Sequence, residues 1–149
     1  MIIEYYIAKD DAEAACVEPG MGGPERQGFD TLSAKSIDPC VALGTLESIL
    51  TGRSFDEILA DPRQCGSLDD SEEMGVVEAS AVTVTDTLRD ALASANVPRL
   101  QDVAKVWADT DELSGVVTPE VLGDFLKMFS DFAHGAVEKG ERLYCWWTL

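Results

Sequence analysis

The chain opens with Ile2-Ile3-Glu4-Tyr5-Tyr6-Ile7-Ala8, a β-branched and aromatic run that predicts a strand. Alternation puts Ile3, Tyr5 and Ile7 on one face and Ile2, Tyr6 and Ala8 on the other. Both faces are therefore expected to be partly covered. Residues 9–17 are acidic and alanine-rich and predict a short helix. Pro19-Gly20-Met21-Gly22-Gly23-Pro24 then breaks any regular element, and the stretch from there to residue 36 is read as a loop.

Helical signals follow. Asp38 is placed to cap a helix with Pro39 at its first position, where a missing N–H costs nothing. That helix carries Val41, Leu43, Leu46, Ile49 and Leu50, and Gly52 supplies its left-handed stop. Ser54-Phe55-Asp56-Glu57 is a capping box for one or two turns containing Ile58 and Leu59, ended by Pro62. Residues 63–75 read as an exposed acidic loop. Residues 76–84, with Val76, Val77, Val82 and Val84, predict a second strand. Thr85 or Asp86 caps a helix bearing Leu88, Leu92 and Ala95, ended near Asn96 and Pro98. Leu100, Val103, Ala104 and Trp107 continue at helical spacing.

Thr118-Pro119-Glu120 starts the last helix. At about 100° per residue, Val121, Leu122, Met128, Phe129, Phe132 and Ala136 fall within about 60° of Phe125, and Glu120, Lys127, Asp131 and Glu138 fall opposite. Gly140 closes it. Leu143-Tyr144-Cys145-Trp146-Trp147-Thr148-Leu149 is too aromatic for a loose tail and predicts a strand inside a sheet, paired with the first. No internal repeat or linker is visible, so residues 1–149 read as a single α+β domain. Its small, mostly antiparallel sheet includes both terminal strands and packs against several helices.

Charge narrows the function. Eleven basic against 28 acidic side chains give a formal net charge of −17, and 16 of the acids but five of the bases lie in residues 1–75. That excess argues against nucleic acid as a partner, because a binder must offset phosphate charge, and against adsorption on an anionic membrane. No apolar run can span a bilayer. Met1-Ile2-Ile3-Glu4 has no basic n-region, so the expected location is cytoplasmic. Cys16, Cys40, Cys65 and Cys145 form no CxxC pair and are expected to be free thiols that pack as small hydrophobes, with no disulfide needed.

Candidate chemistry is sparse. His134, the only histidine, lies on the polar side of the last helix and reads as a surface residue, which leaves a Ser–His or Cys–His nucleophile without a base. The acidic groups are Asp10, Asp11 and Glu13; Asp56, Glu57 and Asp61; Asp69, Asp70, Glu72 and Glu73; and Asp109, Asp111 and Glu112. The last lacks the EF-hand order, and all read first as solvated faces. Gly20 to Gly23 matches no phosphate-binding motif, and Glu18 and Glu25 would repel phosphate. Tyr5, Tyr144, Trp146 and Trp107 could line a ligand pocket, though core packing accounts for each. No catalytic, cofactor-binding or metal-binding residue is assigned, and no cofactor is implied.

The order of these segments resembles the YfbM-like bacterial family, a domain of unknown function. The likeness rests on the strand of residues 1–8, on Ser36-Ile37-Asp38 leading a helix to Leu50-Thr51-Gly52, on the valine-rich strand, on Thr85 opening a helix, and on residues 118–140 before a hydrophobic last strand. It implies a compact α+β fold and brings no catalytic residues. The function expected is a non-catalytic acidic binding protein, such as an inhibitor or immunity-type partner of a basic protein, because a dense negative surface steers such a partner. The alternative is a carboxylate-based enzyme, with or without a divalent metal. Oligomeric state is left open.

Overall fold

The computed structural model describes residues 2–17, 23–34, 37–68 and 79–148. In chain order it contains β1 (Ile2–Ala8), α1 (Asp11–Ala14), α2 (Gly23–Arg26), β2 (Thr31–Ser33), α3 (Val41–Thr51), α4 (Phe55–Leu59), β3 (Ala79–Thr83), α5 (Asp86–Ser94), α6 (Val97–Ala108), α7 (Pro119–Lys139) and β4 (Arg142–Thr148). The strands form one antiparallel sheet in the order β2-β1-β4-β3. The two terminal strands thus lie side by side at its centre, in register from Ile2 opposite Thr148 to Ala8 opposite Arg142. This is the predicted α+β fold.

Both faces of the central strands are covered, as their double-sided apolar pattern requires. Ile3, Tyr5, Ile7, Leu143 and Cys145 face the main core, which α3, α5, α6 and α7 complete with Leu46, Leu92, Trp107 and Phe129. Tyr6, Ala8, Tyr144 and Trp146 face a smaller core closed by Ala14, Val17, Phe29 and Leu68. Buried phenols find acceptors: Tyr5 donates to the Ile37 carbonyl at 2.9 Å, and Tyr6 to the Ala14 carbonyl at 2.8 Å. No helix among the described residues is long and apolar enough to cross a membrane.

Local chemistry sets most helix ends. Ser54, Thr85, Asn96 and Thr118 each accept a backbone N–H from the first turn they precede. Gly52 (φ 76°) and Gly140 (φ 68°) end α3 and α7 in the left-handed conformation. Helix α3 begins at Val41 rather than Pro39. Asp38 still caps it, accepting from the N–H groups of Cys40, Val41 and Ala42 at 2.9, 2.7 and 3.3 Å.

Two expectations need correction. Residues 24–36 are not all loop, since α2 occupies Gly23–Arg26 and Thr31–Ser33 pairs with β1 as an edge strand. A three-residue strand has no period to read, and its pairing is dictated by the open edge of β1. The second predicted strand is present over Ala79–Thr83, while its predicted beginning, with Val76 and Val77, lies outside the described residues. Cys40 and Cys65 are joined in a disulfide with a Cα–Cα distance of 5.1 Å, while Cys16 is an exposed thiol and Cys145 a buried one. Folding brings together residues 25 apart with no local motif to announce them.

The last helix also packs with a rotated face. Its buried Leu122, Leu126, Phe129, Ala133 and Ala136 centre about 60° round from Phe125, while Val121 and Met128 are 58% and 52% exposed. The rotation arises because α7 packs against α5 and α6 as well as the sheet: Ser130 donates to the Leu92 carbonyl at 2.6 Å, and Gly123 lies over Ala104. Leu126→Ala is therefore expected to destabilise the protein by about 2–5 kcal/mol, as a fully buried truncation does. Val121→Ala should stay within about 0.5 kcal/mol, and urea denaturation of both variants checks the assignment.

Candidate functional site

The polar groups that converge do so under the second face of the sheet. Asp11 stands at the start of α1, which Asp10 caps by accepting from the Glu13 N–H at 2.9 Å. Tyr144 comes from the middle of β4, and Arg63 from the turn after α4. The Tyr144 hydroxyl donates to Asp11 Oδ1 at 2.6 Å, and Arg63 Nη1 donates to both carboxylate oxygens at 3.1 Å. The guanidinium carbon lies 5.8 Å from the centre of the Tyr144 ring. Arg63 Nε and Nη2 are buried without a hydrogen-bond partner.

Arg63 is positioned by the backbone that follows it. Leu68 N–H donates to the Ala81 carbonyl at 3.0 Å and Thr83 N–H to the Gly66 carbonyl at 2.8 Å, so residues 66–68 lie along β3. The Thr83 hydroxyl donates to the Arg63 carbonyl at 2.7 Å. A Cβ on Gly66 would stand 2.6 Å from the Pro62 carbonyl oxygen, so glycine is required there.

The electrostatics of this cluster fix its protons. The hydrogen bond from Tyr144, with help from Arg63, holds the Asp11 carboxyl below the usual carboxylate range despite partial burial. Burial, and then the neighbouring Asp11, push the Tyr144 phenol up. Burial works against the charge on Arg63, but Asp11 outweighs it and keeps the guanidinium protonated. Near neutral pH the cluster is carboxylate, phenol and guanidinium, with no group ready to exchange a proton. It acts as a fastener joining α1, the post-α4 turn and β4.

A second polar node was not anticipated. Glu47 on α3 is fully buried; its Oε1 accepts from the Thr85 hydroxyl at 2.6 Å, from the Thr87 hydroxyl, and from Arg53 Nη1 at 3.4 Å. Its Oε2 has no partner. Thr85 also caps α5 through the Leu88 N–H, so one hydroxyl links the carboxylate to the helix it starts. The signal was present: Glu47 follows the buried Leu43 by four residues and so shares its face. Glu4 is half-buried on the second face, its Oε2 also unpartnered, and burial followed by the Glu25 charge raises its pKa. A Cβ on Gly23 would lie 3.1 Å from that oxygen and 3.5 Å from Trp146 Nε1.

The residues singled out from sequence are largely dispersed. His134 is exposed on α7, 3.6 Å from Glu138. Asp10 and Asp11 serve α1 and the fastener, and Glu13 is exposed. Asp56 and Glu57 are exposed on α4, and Asp61 lies 3.9 Å from Arg53. Asp109, Asp111 and Glu112 are exposed between α6 and α7, while Asp69, Asp70, Glu72, Glu73 and Gly20 to Gly22 lie outside the described residues. No group of three or more His, Cys, Asp or Glu converges as a metal site among the described residues. Tyr5, Tyr144, Trp146 and Trp107 are buried in the cores, with Trp107 Nε1 donating to the Ala42 carbonyl at 3.2 Å. Three surface depressions, of about 320, 310 and 280 Å³, lie between α6 and α7, along the turn before α7, and between α3 and α6. None of the three includes Asp11, Glu47, Glu4 or His134. No family model, curated protein or solved structure matches the chain.

Three substitutions test these assignments. A lowered carboxyl pKa contributes stability above its unfolded value and loses it as pH falls through the folded one. Tyr144→Phe should therefore raise the Asp11 pKa in a carboxyl NMR titration and move acid destabilisation to higher pH. Glu4 has the opposite sign: its contribution is complete below the usual 4.5 and is lost as pH rises through the raised folded value. Glu4→Gln should therefore gain stability over the parent as pH rises toward neutral, a gap that closes in acid. Glu47→Ala, which strands two hydroxyls and leaves a cavity, should cost about 2–4 kcal/mol by urea denaturation.

Proposed function

We propose that the protein is a non-catalytic binding protein whose acidic surface recognises a basic protein. The observation that carries this reading is the carboxylate surface of the α6–α7 region. Asp102, Asp109, Asp111, Glu112, Glu120, Asp124 and Asp131 are all exposed and stand outside the ion pairs of the described residues. Lys105 and Lys127 are the only bases in residues 102–131. Such a surface attracts and orients a cationic partner before contact. A carboxylate enzyme would need paired acids in a cleft; the depression between α6 and α7 brings Glu120 and Asp124 together, but Lys105 and Lys127 line it with them, and Glu4, whose pKa is raised, lines none of the three. The YfbM-like resemblance and a cytoplasmic location belong to the same proposal.

Immobilised protein incubated with lysate of its source cell should retain a basic protein at low salt. The complex should dissociate as ionic strength passes about 0.15 M, where the Debye length falls to about 8 Å. Asp109→Asn, Asp111→Asn and Glu112→Gln together should slow association by about three- to tenfold with less effect on dissociation. An empty or salt-insensitive capture would overturn the reading.

A further inference from the structure

The disulfide has a position that suggests more than a staple. Cys40 is exposed just before α3, and Cys65 is half-buried in the turn that also carries Arg63. Residues 61–68 are held to the body by a small set of contacts. Gln64 Nε2 donates to the Cys40 carbonyl at 2.6 Å, backbone bonds link Gly66 and Leu68 to β3, and Arg63 grips Asp11.

Two features of this segment oppose its closed position. Cys65 has φ of 53°, in the left-handed region that residues other than glycine seldom occupy. Arg63 keeps Nε and Nη2 buried without partners, although both would be hydrated if the turn moved outward. A covalent tie between Cys40 and Cys65 holds the turn against both. Disulfides in reducing compartments are usually transient or redox-sensing, and an exposed one is open to exchange.

We propose that Cys40–Cys65 is a thiol–disulfide exchange site at which a cellular thiol reductant releases residues 61–68 and loosens the Arg63–Asp11–Tyr144 fastener. The reductant thiolate attacks the sulfur of Cys40, the more exposed of the two residues, forming a mixed disulfide and expelling the Cys65 thiolate, which takes a proton from water. A second reductant thiolate attacks the mixed disulfide and leaves as the oxidised reductant, while the Cys40 thiolate is released and protonated. Two electrons enter the protein, and two reductant thiols become one disulfide. Cys145 takes no part, being sealed in the main core. This inference rests on the cytoplasmic location proposed above, and not on the partner.

The experiment uses oxidised full-length protein carrying Cys16→Ser, so that new accessible thiols report Cys40 and Cys65. Reduced glutathione in cytosol-like excess should yield two additional alkylatable thiols by mass spectrometry. Amide exchange of Gly66, Leu68 and Thr83 should then accelerate by about tenfold or more, while the β1 and β4 amides around Tyr5 and Cys145 keep their protection. Cys40→Ser/Cys65→Ser should exchange like the reduced form without any reductant. Resistance to glutathione would overturn the proposal. So would reduction without local acceleration, or reduction that exposes β1 and β4 as well, because the bond would then be inert or a global staple.

Discussion

Antiparallel pairing between the first and last strands is the constraint on which the other contacts depend. Tyr5 opposite Cys145 and Tyr6 opposite Tyr144 fix which side chains meet the helices and which meet α1 and the post-α4 turn. A slip of one residue would exchange the two faces, sending Ile3, Tyr5 and Ile7 away from the helical layer. Because β1 and β4 are interior strands, the edges fall to the short β2 and to β3, which residues 66–68 partly cover. The helical layer then has one broad apolar surface to close, and α7 turns its buried face between that surface and its helical neighbours.

Carboxylates serve two purposes in this chain. A few are fasteners: Glu47 joins α3 to the first turn of α5, and Asp11 joins α1 to Tyr144 and Arg63. A carboxyl group withdrawn from water needs donors, and each of these two meets two or more hydroxyl or guanidinium partners. Those paired groups are engaged in holding segments together, which leaves them little chemistry to perform. Many of the remainder are exposed, and their effect is felt at a distance as a field. The proposal of an acidic binding protein rests on that division.

The post-α4 turn connects these themes. It contributes the arginine of one fastener, covers the edge of β3, and is tied covalently to the start of α3. Its stability therefore depends on hydrogen bonding, charge pairing and thiol oxidation together, whereas the β1–β4 ladder depends chiefly on backbone pairing and apolar burial. On the redox proposal above, reduction acts on the first set and leaves the second in place.

By itself the sequence determined what neighbouring residues decide. Ser54, Thr85 and Thr118 cap helices because a side-chain oxygen reaches an N–H three residues on, and Gly52 and Gly140 end them because each alone accepts a left-handed backbone cheaply. The terminal strands were legible from their β-branched and aromatic runs, the last one's place in a sheet from the need to hide the tryptophans, and their pairing from both being aromatic and terminal. Only the tertiary structure decided the rest. Asp11 meets an arginine 52 positions away and a tyrosine 133 away, Cys40 meets Cys65, β2 exists because β1 has an open edge, and α7 is rotated by its neighbours. These depend on which surfaces are brought within a few ångströms, and a local pattern carries no record of distance through space.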